Sequence, residues 1–197
     1  MRSTRAMNFA VITVSDRAFR GEYPDRGGPA AVEYLKSRIE SDEPFKVHAR
    51  VVPDSANELE FAVEELSKAL QCCLILTTGG TGISARDITP QTTEKLCEGW
   101  VIPGFGEAMR RTSLDLGVKT AIVSRAIAAV YDHRTLIINL PGSPNAIGEC
   151  MDAVIDVIPH AINHIQPGIR LRINTDKNAR QKGLDPALHH AELKKKE

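Results

Sequence analysis

The chain has 197 residues, of which 42% are hydrophobic and 25% charged, with 25 Lys plus Arg against 25 Asp plus Glu. These values describe one soluble globular domain able to bury a core, and the zero net charge argues against a general binder of nucleic acid or membrane surface. The four cysteines, Cys72, Cys73, Cys97 and Cys150, make neither a C-x-x-C pair nor a disulfide framework, so they are expected as buried thiols in a reducing compartment, with the cytoplasm as default.

The N-terminal run is basic, but its apolar part is short and ends in Ser15-Asp16, without the core and cleavage site of a signal peptide. No stretch approaches membrane-spanning length. Residues 8–14 carry Phe9, Val11, Ile12 and Val14 and predict a first, central strand. Ser15 and Asp16 follow at its carboxyl end, where open α/β sheets bind ligands. Capping a turn is an equally good role for them. A glycine-containing loop from Phe19 to Gly28 comes next, and Pro29 suits a first helical position. Val32, Leu35 and Ile39 then mark one helical face, with the period ending near Ser41. Phe45 to Val52 alternates weakly and predicts a strand nearer the sheet edge.

Ser55-Ala56-Asn57-Glu58 has the form of a capping box, and Leu59, Ala62, Val63, Leu66 and Leu70 make a clean helical stripe. Asp54 sits just before that helix, where it would complement the helix dipole by roughly 0.3–1 kcal/mol. A buried strand, Cys73 to Leu76, stops in Thr77-Thr78 and runs into Gly79, Gly80, Thr81 and Gly82. Thr89-Pro90 opens a helix to Leu96. Trp100 to Pro103 breaks it, and the turn Pro103-Gly104-Phe105-Gly106 leads to a helix from Glu107 to Leu116 with Met109, Thr112, Ser113 and Leu116 inward. Arg110 and Arg111 are expected in solvent. Ala121 to Arg125 fits helix and strand equally. Ala126 to Tyr131 and Thr135 to Leu140 predict an antiparallel hairpin around Asp132-His133-Arg134, so the sheet is mixed. Pro141-Gly142-Ser143-Pro144-Asn145 leads into one long helix marked by Ile147, Met151, Val154, Ile155, Ile158, Ile162 and Ile165, which Pro159 should kink. From Gly168 the last thirty residues hold eight Lys/Arg and four Asp/Glu with few large apolar groups. The expected organisation is one domain over residues 7–167 and a polar C-terminal tail over 168–197.

Two loops, Gly79–Gly82 and Pro141–Asn145, each join a predicted strand to a helix. If those strands are neighbours, the loops face one crevice, and their amides could hold phosphate. No Lys follows the glycines and the spacing is not G-x-G-x-x-G, so neither a Walker loop nor a dinucleotide loop is present. Asp87 would repel phosphate unless Mg²⁺ lay between them, since Mg²⁺ takes one or two carboxylates plus phosphate oxygens. Pairing with Arg86 or capping at Thr89 would also account for it. Arg86 could contact phosphate or be merely exposed. His160 and His164 stand i, i+4 on a helix without the H-E-x-x-H pattern, which leaves a metal role weakly supported. No nucleophile–base set stands out, and phosphate chemistry by positioning needs none.

The segments VSDRAFRGEYPDRGGPA, VVPD, TTGGTGISARDITPQTTEKL, PGFGEAMR and LIINLPGSPNAIGEC, in this order from Phe9 to Ile165, together resemble the molybdopterin adenylyltransferases. That family includes the bacterial MogA and MoaB proteins and the G domain of gephyrin. The resemblance implies an α/β fold, three-layer α/β/α with a mostly parallel mixed central sheet, assembled as a homotrimer. It implies adenylyl transfer from ATP to the terminal phosphate of molybdopterin with release of pyrophosphate, Mg²⁺ as cofactor, and hand-over to a molybdenum-inserting partner. It also implies site roles. Asp54 and Asp87 match the catalytic aspartates, Asp87 the one associated with Mg²⁺. Thr78, Gly79, Gly80, Thr81, Gly82 and Arg86 match the loop that binds ATP and molybdopterin. Pro141, Gly142, Ser143, Pro144 and Asn145 match the second loop of that pocket. Ser15 and Asp16 match the SD after the first strand, and Ser124 with Arg125 an SR pair. The competing class is a non-catalytic pterin- or nucleotide-binding scaffold on the same fold; retention of both Asp54 and Asp87 favours the enzyme.

Overall fold

A computed structural model describes residues 7–175. Its centre is a six-stranded sheet in the order β3-β1-β4-β7-β6-β5. The strands are β1 (Met7–Val14), β3 (Phe45–Val52), β4 (Cys72–Thr78), β5 (Val101–Ile102), β6 (Ala128–Tyr131) and β7 (Thr135–Leu140). β3, β1, β4 and β7 are parallel; β6 and β5 are antiparallel additions. The mixed, mostly parallel sheet is therefore observed, with β3 at an edge as its weak alternation suggested.

Sequence alternation explains the layers. Phe9, Val11, Leu74, Leu76, Leu136 and Ile138 point to one face. There they meet helices α2 (Gly27–Arg38), α5 (Pro103–Asp115), α6 (Pro144–Val154) and α7 (Ile158–Ile165). Ala10, Ile12, Val14, Ile75 and Ile137 point to the other face, against Leu59, Ala62 and Val63 of α3 (Ala56–Glu64) and Leu66 beyond it. Strands buried on both sides read as near-continuous apolar runs, as parallel sheets require. Each large side chain fully buried here contributes roughly 1.5–3 kcal/mol. Helix α4 (Thr89–Leu96) lies on the α3 side, and a four-residue helix α1 (Asp16–Phe19) follows β1 directly.

Several expectations are corrected. Ser55 is the N-cap of α3, but its side chain makes no capping bond, so the capping box does not form. The stripe beyond α3 continues as a π-helical segment, Glu65–Ala69. Helix α5 begins at Pro103, four residues early, because Pro suits a first turn whose N–H groups have no intrahelical partner. Leu116 is 60% exposed rather than inward, since the helix has ended at Asp115. Arg110 is not simply solvated; it donates to Ser124 O and Ala126 O at 3.2 and 3.0 Å. Lys119–Val123 forms a 3₁₀ turn. The long final helix is broken at Ile155–Val157 by a 3₁₀ turn, which puts Pro159 in the first turn of α7 and removes the need for a kink. Within the stretch expected to be a tail, β8 (Leu171–Ile173) pairs antiparallel with β2 (Ile39–Ser41) just after α2. The remainder of that stretch, residues 176–197, lies outside the described residues, as do residues 1–6.

All four parallel strands end at the same sheet edge, at Val52, Val14, Thr78 and Leu140. The chain passes from β1 to β3 on one side, then to β4 on the other. The reversal opens a crevice at the carboxyl ends of β1 and β4, where doubly wound sheets place ligands.

Candidate functional site

The β4–α4 loop is built on a backbone only glycine accepts readily. Gly79 has φ 98° and Gly80 φ 62°. A Cβ on Gly79 would lie 2.4 Å from Val14 O of β1, and one on Gly80 2.5 Å from Thr89 Oγ1. Gly79 N–H donates to Leu140 O at 3.1 Å, and Thr89 closes the turn with Oγ1 to Gly79 O and N–H to Gly80 O. Thr81 is buried and Gly82 half-buried. Buried Thr78 donates from Oγ1 to Pro141 O at 2.8 Å. This bond ties the loop to Pro141–Asn145, and Gly142 lies close enough that its Cβ would sit 3.6 Å from Gly79 Cα. The two loops thus meet in one crevice, as neighbouring strands required. Ser143 and Pro144 open α6, whose first N–H groups receive no bond from the Ser143 side chain; Asn145 follows in its first turn.

The acidic residues divide into two groups. Asp16 and Asp54 grip each other's backbone: Asp16 N–H donates to Asp54 Oδ2 and Asp54 N–H to Asp16 Oδ1, both at 3.0 Å. Each carboxylate so accepts a charge-assisted bond at a strand end. Arg86 also pairs with Asp16 Oδ2 across the crevice. The Asp54 backbone N–H, then the Arg86 guanidinium, hold the Asp16 carboxyl below its ordinary value of 3.8. That stabilisation is present above pH 3.8 and is lost as pH falls through the lowered value. Ser15 caps α1 through Oγ to Ala18 N–H at 3.3 Å, so the capping role holds for Ser15, while Asp16 does more.

Asp87 folds back over its own loop. Its Oδ2 accepts from Ser84 N–H at 2.7 Å and lies where a Cβ on Gly82 would come within 2.9 Å. Its Oδ1 has no hydrogen-bond partner among the described residues. Neither alternative role is realised: Arg86 pairs with Asp16, and the Thr89 hydroxyl serves Gly79 O.

Three contributors were not singled out from the sequence. Asp25 accepts from Thr13 Oγ1 at 2.8 Å and from Gly28 N–H at 2.9 Å, pinning the start of α2 to β1. Gly27 is wedged there, with Thr78 Oγ1 2.8 Å and Gly142 O 3.1 Å from a Cβ. An Asp three residues before a glycine in PDRGG is the signal that pointed to such a turn. Buried Asn139 donates to Thr77 Oγ1 and Thr93 Oγ1 beneath the loop, and its Oδ1 has no partner among the described residues. Ser124 accepts from Ala126 N–H at 3.4 Å; contacts to the glycine loop come instead from its neighbour Arg125. His160 and His164 stand side by side on α7, ring centroids 4.2 Å apart, and no group of three His, Cys, Asp or Glu suited to a metal occurs among the described residues.

Residues 10–160 match the model of a family described as a probable molybdopterin binding domain. The chain belongs to the molybdopterin adenylyltransferase family. It is 42% identical over 161 residues to the molybdopterin adenylyltransferase of Helicobacter pylori, covering 82% of this chain and 89% of that one. The Escherichia coli K12 molybdopterin adenylyltransferase is 39% identical over 158 residues, 80% of this chain and 78% of that one. Among solved structures, the Mog protein of Mycobacterium ulcerans superposes with a TM-score of 0.72 at 38% identity, covering 81% of this chain and 99% of that chain. Membership places the chain in molybdenum cofactor biosynthesis and in a family of nucleotidyltransferases. No helix of the described residues is long and apolar enough to cross a membrane.

Proposed function

We propose that this protein transfers AMP from ATP to the terminal phosphate of molybdopterin, with release of pyrophosphate. The observation that carries the reading is the union of the two loops: Thr78 Oγ1 to Pro141 O and Gly79 N–H to Leu140 O, with Asp87 turned over the glycines and one carboxylate oxygen open. An oxygen of the pterin's terminal phosphate forms a bond to the α-phosphorus of ATP. The bond from that phosphorus to the β-phosphate bridge breaks, and pyrophosphate leaves with the electron pair. The amides of Gly80, Thr81 and Gly82 and the first turn of α6 hold phosphate oxygens. Arg86 exchanges Asp16 for a phosphate. Asp54, fixed by Asp16, keeps the strand ends in register beside the crevice. No covalent residue is needed, because alignment of two phosphates supplies the rate.

The residues fit Mg²⁺. Asp87 Oδ1, which has no partner among the described residues, is the carboxylate oxygen that would hold the ion, since Mg²⁺ is commonly held by one or two carboxylates together with phosphate oxygens. Bound there, the ion would neutralise charge developing on the transferred phosphate. The homotrimer, the cytoplasm and hand-over to a molybdenum-inserting partner are part of the same proposal. The exposed apolar run Leu114, Leu116, Val118, Ile122 and Val123 supports association with further copies; the four reduced, buried thiols support a reducing compartment.

The experiment is direct. Purified protein is given molybdopterin, ATP and Mg²⁺, and pyrophosphate and adenylylated pterin are measured. Both products are expected in equal amounts. Pterin binding with neither product would make the protein a scaffold and overturn the reading.

A further inference from the structure

The second half of the β4–α4 loop, residues 81–88, has no regular structure, and residues 83–86 are exposed. Something must hold Asp87 over the glycines. Its bonds with Ser84 are local, so they shape the turn without fixing it to the domain. Arg86 reaches Asp16 from the exposed part of the turn, and Gln91 Nε2 donates to Asp87 O at 3.0 Å, but only one residue ties both ends of the turn. Arg125 is half-buried, just past the 3₁₀ turn that follows α5, and comes from a part of the chain 38 residues beyond Asp87. Its N–H donates to Thr81 O at 2.9 Å. Its guanidinium sends Nε to Gly82 O at 2.6 Å and Nη2 to Asp87 O at 2.5 Å, while Nη1 reaches Gln91 Oε1 at 2.8 Å in α4.

Gly82 and Asp87 are the two ends of the exposed turn, and one rigid fork grips both. Among the described residues Arg125 has no acidic partner, so its charge is spent on two backbone carbonyls and the Gln91 side-chain amide oxygen. Such bonds are roughly twice as strong as neutral ones. A planar guanidinium presents several donors in a fixed geometry, which the single ammonium of Lys cannot copy.

We infer that Arg125 is a positioning residue: it staples the ends of the 82–87 turn and so sets the Asp87 carboxylate, without touching substrate. This rests on the adenylyl-transfer reading for its catalytic consequence, but the staple itself can be tested without any ligand.

The test uses Arg125→Lys, which keeps the charge and loses the fork, and Arg125→Ala with and without added guanidinium. In ligand-free protein, hydrogen exchange of the 82–87 amides should speed up in both variants, while strand β4 stays protected. With molybdopterin and ATP, turnover should fall about 10–100-fold, as for residues that orient a catalytic group. The concentration of Mg²⁺ for half-maximal rate should rise, the pterin KM should stay within about twofold, and guanidinium should restore part of the Ala variant's rate. Wild-type loop exchange in Arg125→Lys overturns the staple. A wild-type rate in Arg125→Lys would make charge alone the function, and also overturns it. Global unfolding of both variants, unrelieved by guanidinium, leaves only a structural role and overturns it too. If wild-type protein shows no transfer yet loop exchange responds as expected, the staple stands and the adenylyl-transfer reading fails.

Discussion

Gly79 offers a test in which the structure sets the size of the effect. Gly79→Ala meets two penalties. At φ 98° an L side chain is in the left-handed region, which costs about 1–2 kcal/mol. The new Cβ would also lie 2.4 Å from Val14 O, a backbone atom of the central strand that cannot swing aside. Relieving that overlap by shifting packed structure costs about 1–3 kcal/mol. Together these make about 2–5 kcal/mol, a large part of the 5–15 kcal/mol typical of a domain. At roughly 2–4 °C per kcal/mol for a domain of this size, the melting temperature should drop by about 4–20 °C. Two glycines serve as controls. Gly21→Ala has a positive φ of 71° with open space around it, so only the first penalty applies, about 1–2 kcal/mol. Gly142→Ala meets nothing closer than 3.6 Å and should change stability by no more than about 0.5 kcal/mol. Urea unfolding of all three ranks them. If Gly79→Ala is no worse than Gly21→Ala, the close approach of the loop to β1 is not a real constraint, and the account of this crevice fails with it.

Asp87→Asn keeps an oxygen for Ser84 N–H and loses the charge, so the fold should stand while turnover falls by about 10²–10³-fold, as for loss of a group that stabilises developing charge; pyrophosphate release at the wild-type rate would refute the Mg²⁺ role. Asp25→Ala removes the acceptor for Gly28 N–H and the Thr13 hydroxyl and should cost about 1–3 kcal/mol in urea unfolding; no loss would mean the start of α2 is held some other way. Burial pushes the Cys72, Cys73 and Cys97 thiols up to about 12 and Cys150 up to about 11. In the unfolded chain they ionise near 9.0, so their contribution to stability is intact below pH 9 and is lost as pH rises toward the folded values. Native protein should therefore react with a thiol reagent only slowly at pH 8, all four thiols should react in denaturant, and urea midpoints should fall between pH 9 and pH 10.5.

The parts of the fold that sequence revealed are those where one local rule decides. Phe45–Val52, Thr89–Leu96 and Thr135–Leu140 lie between the residues expected, because alternation, a Thr-Pro start and a hairpin turn each act over a few neighbours. The misses needed partners distant in sequence. β2 and β8 are three residues each and exist only through each other. The Pro103–Gly106 segment looks like a turn, yet Gly106 lies in α5, and glycine stands there because a Cβ would lie 2.5 Å from Ala126 O. That glycine records close packing against another element, not a break. The same residue type at Gly79 records a left-handed backbone; composition alone does not separate the two.

The candidate site divides along the same line. That Gly79–Gly82 and Pro141–Asn145 meet in one crevice was legible because each follows a strand, and parallel strands deliver their ends to one edge. Asp54 and Asp87 took definite site roles only through the family resemblance, since Asp54 alone reads as a helix-dipole partner and Asp87 alone fits an ion pair or a cap as well as a metal ligand. What could not be read is which side chain holds which. In Asp54 and Asp16 each carboxylate bonds the other's N–H, so each also serves as a structural tie between β1 and β3. A change at either must alter the strand ends together with any chemistry, and loss of activity there is ambiguous. Asp87 is different. Its Oδ2 bond stays within the loop and its Oδ1 is unpartnered among the described residues, so its carboxylate can be altered while the sheet is left alone. Arg125 then controls where that carboxylate points without contributing to the sheet either. This pair, rather than the pair of strand-end aspartates, is where loss of rate and loss of stability can be separated, and a double-mutant cycle between Arg125→Lys and Asp87→Asn should be strongly non-additive, since a staple has nothing left to position once the charge is gone.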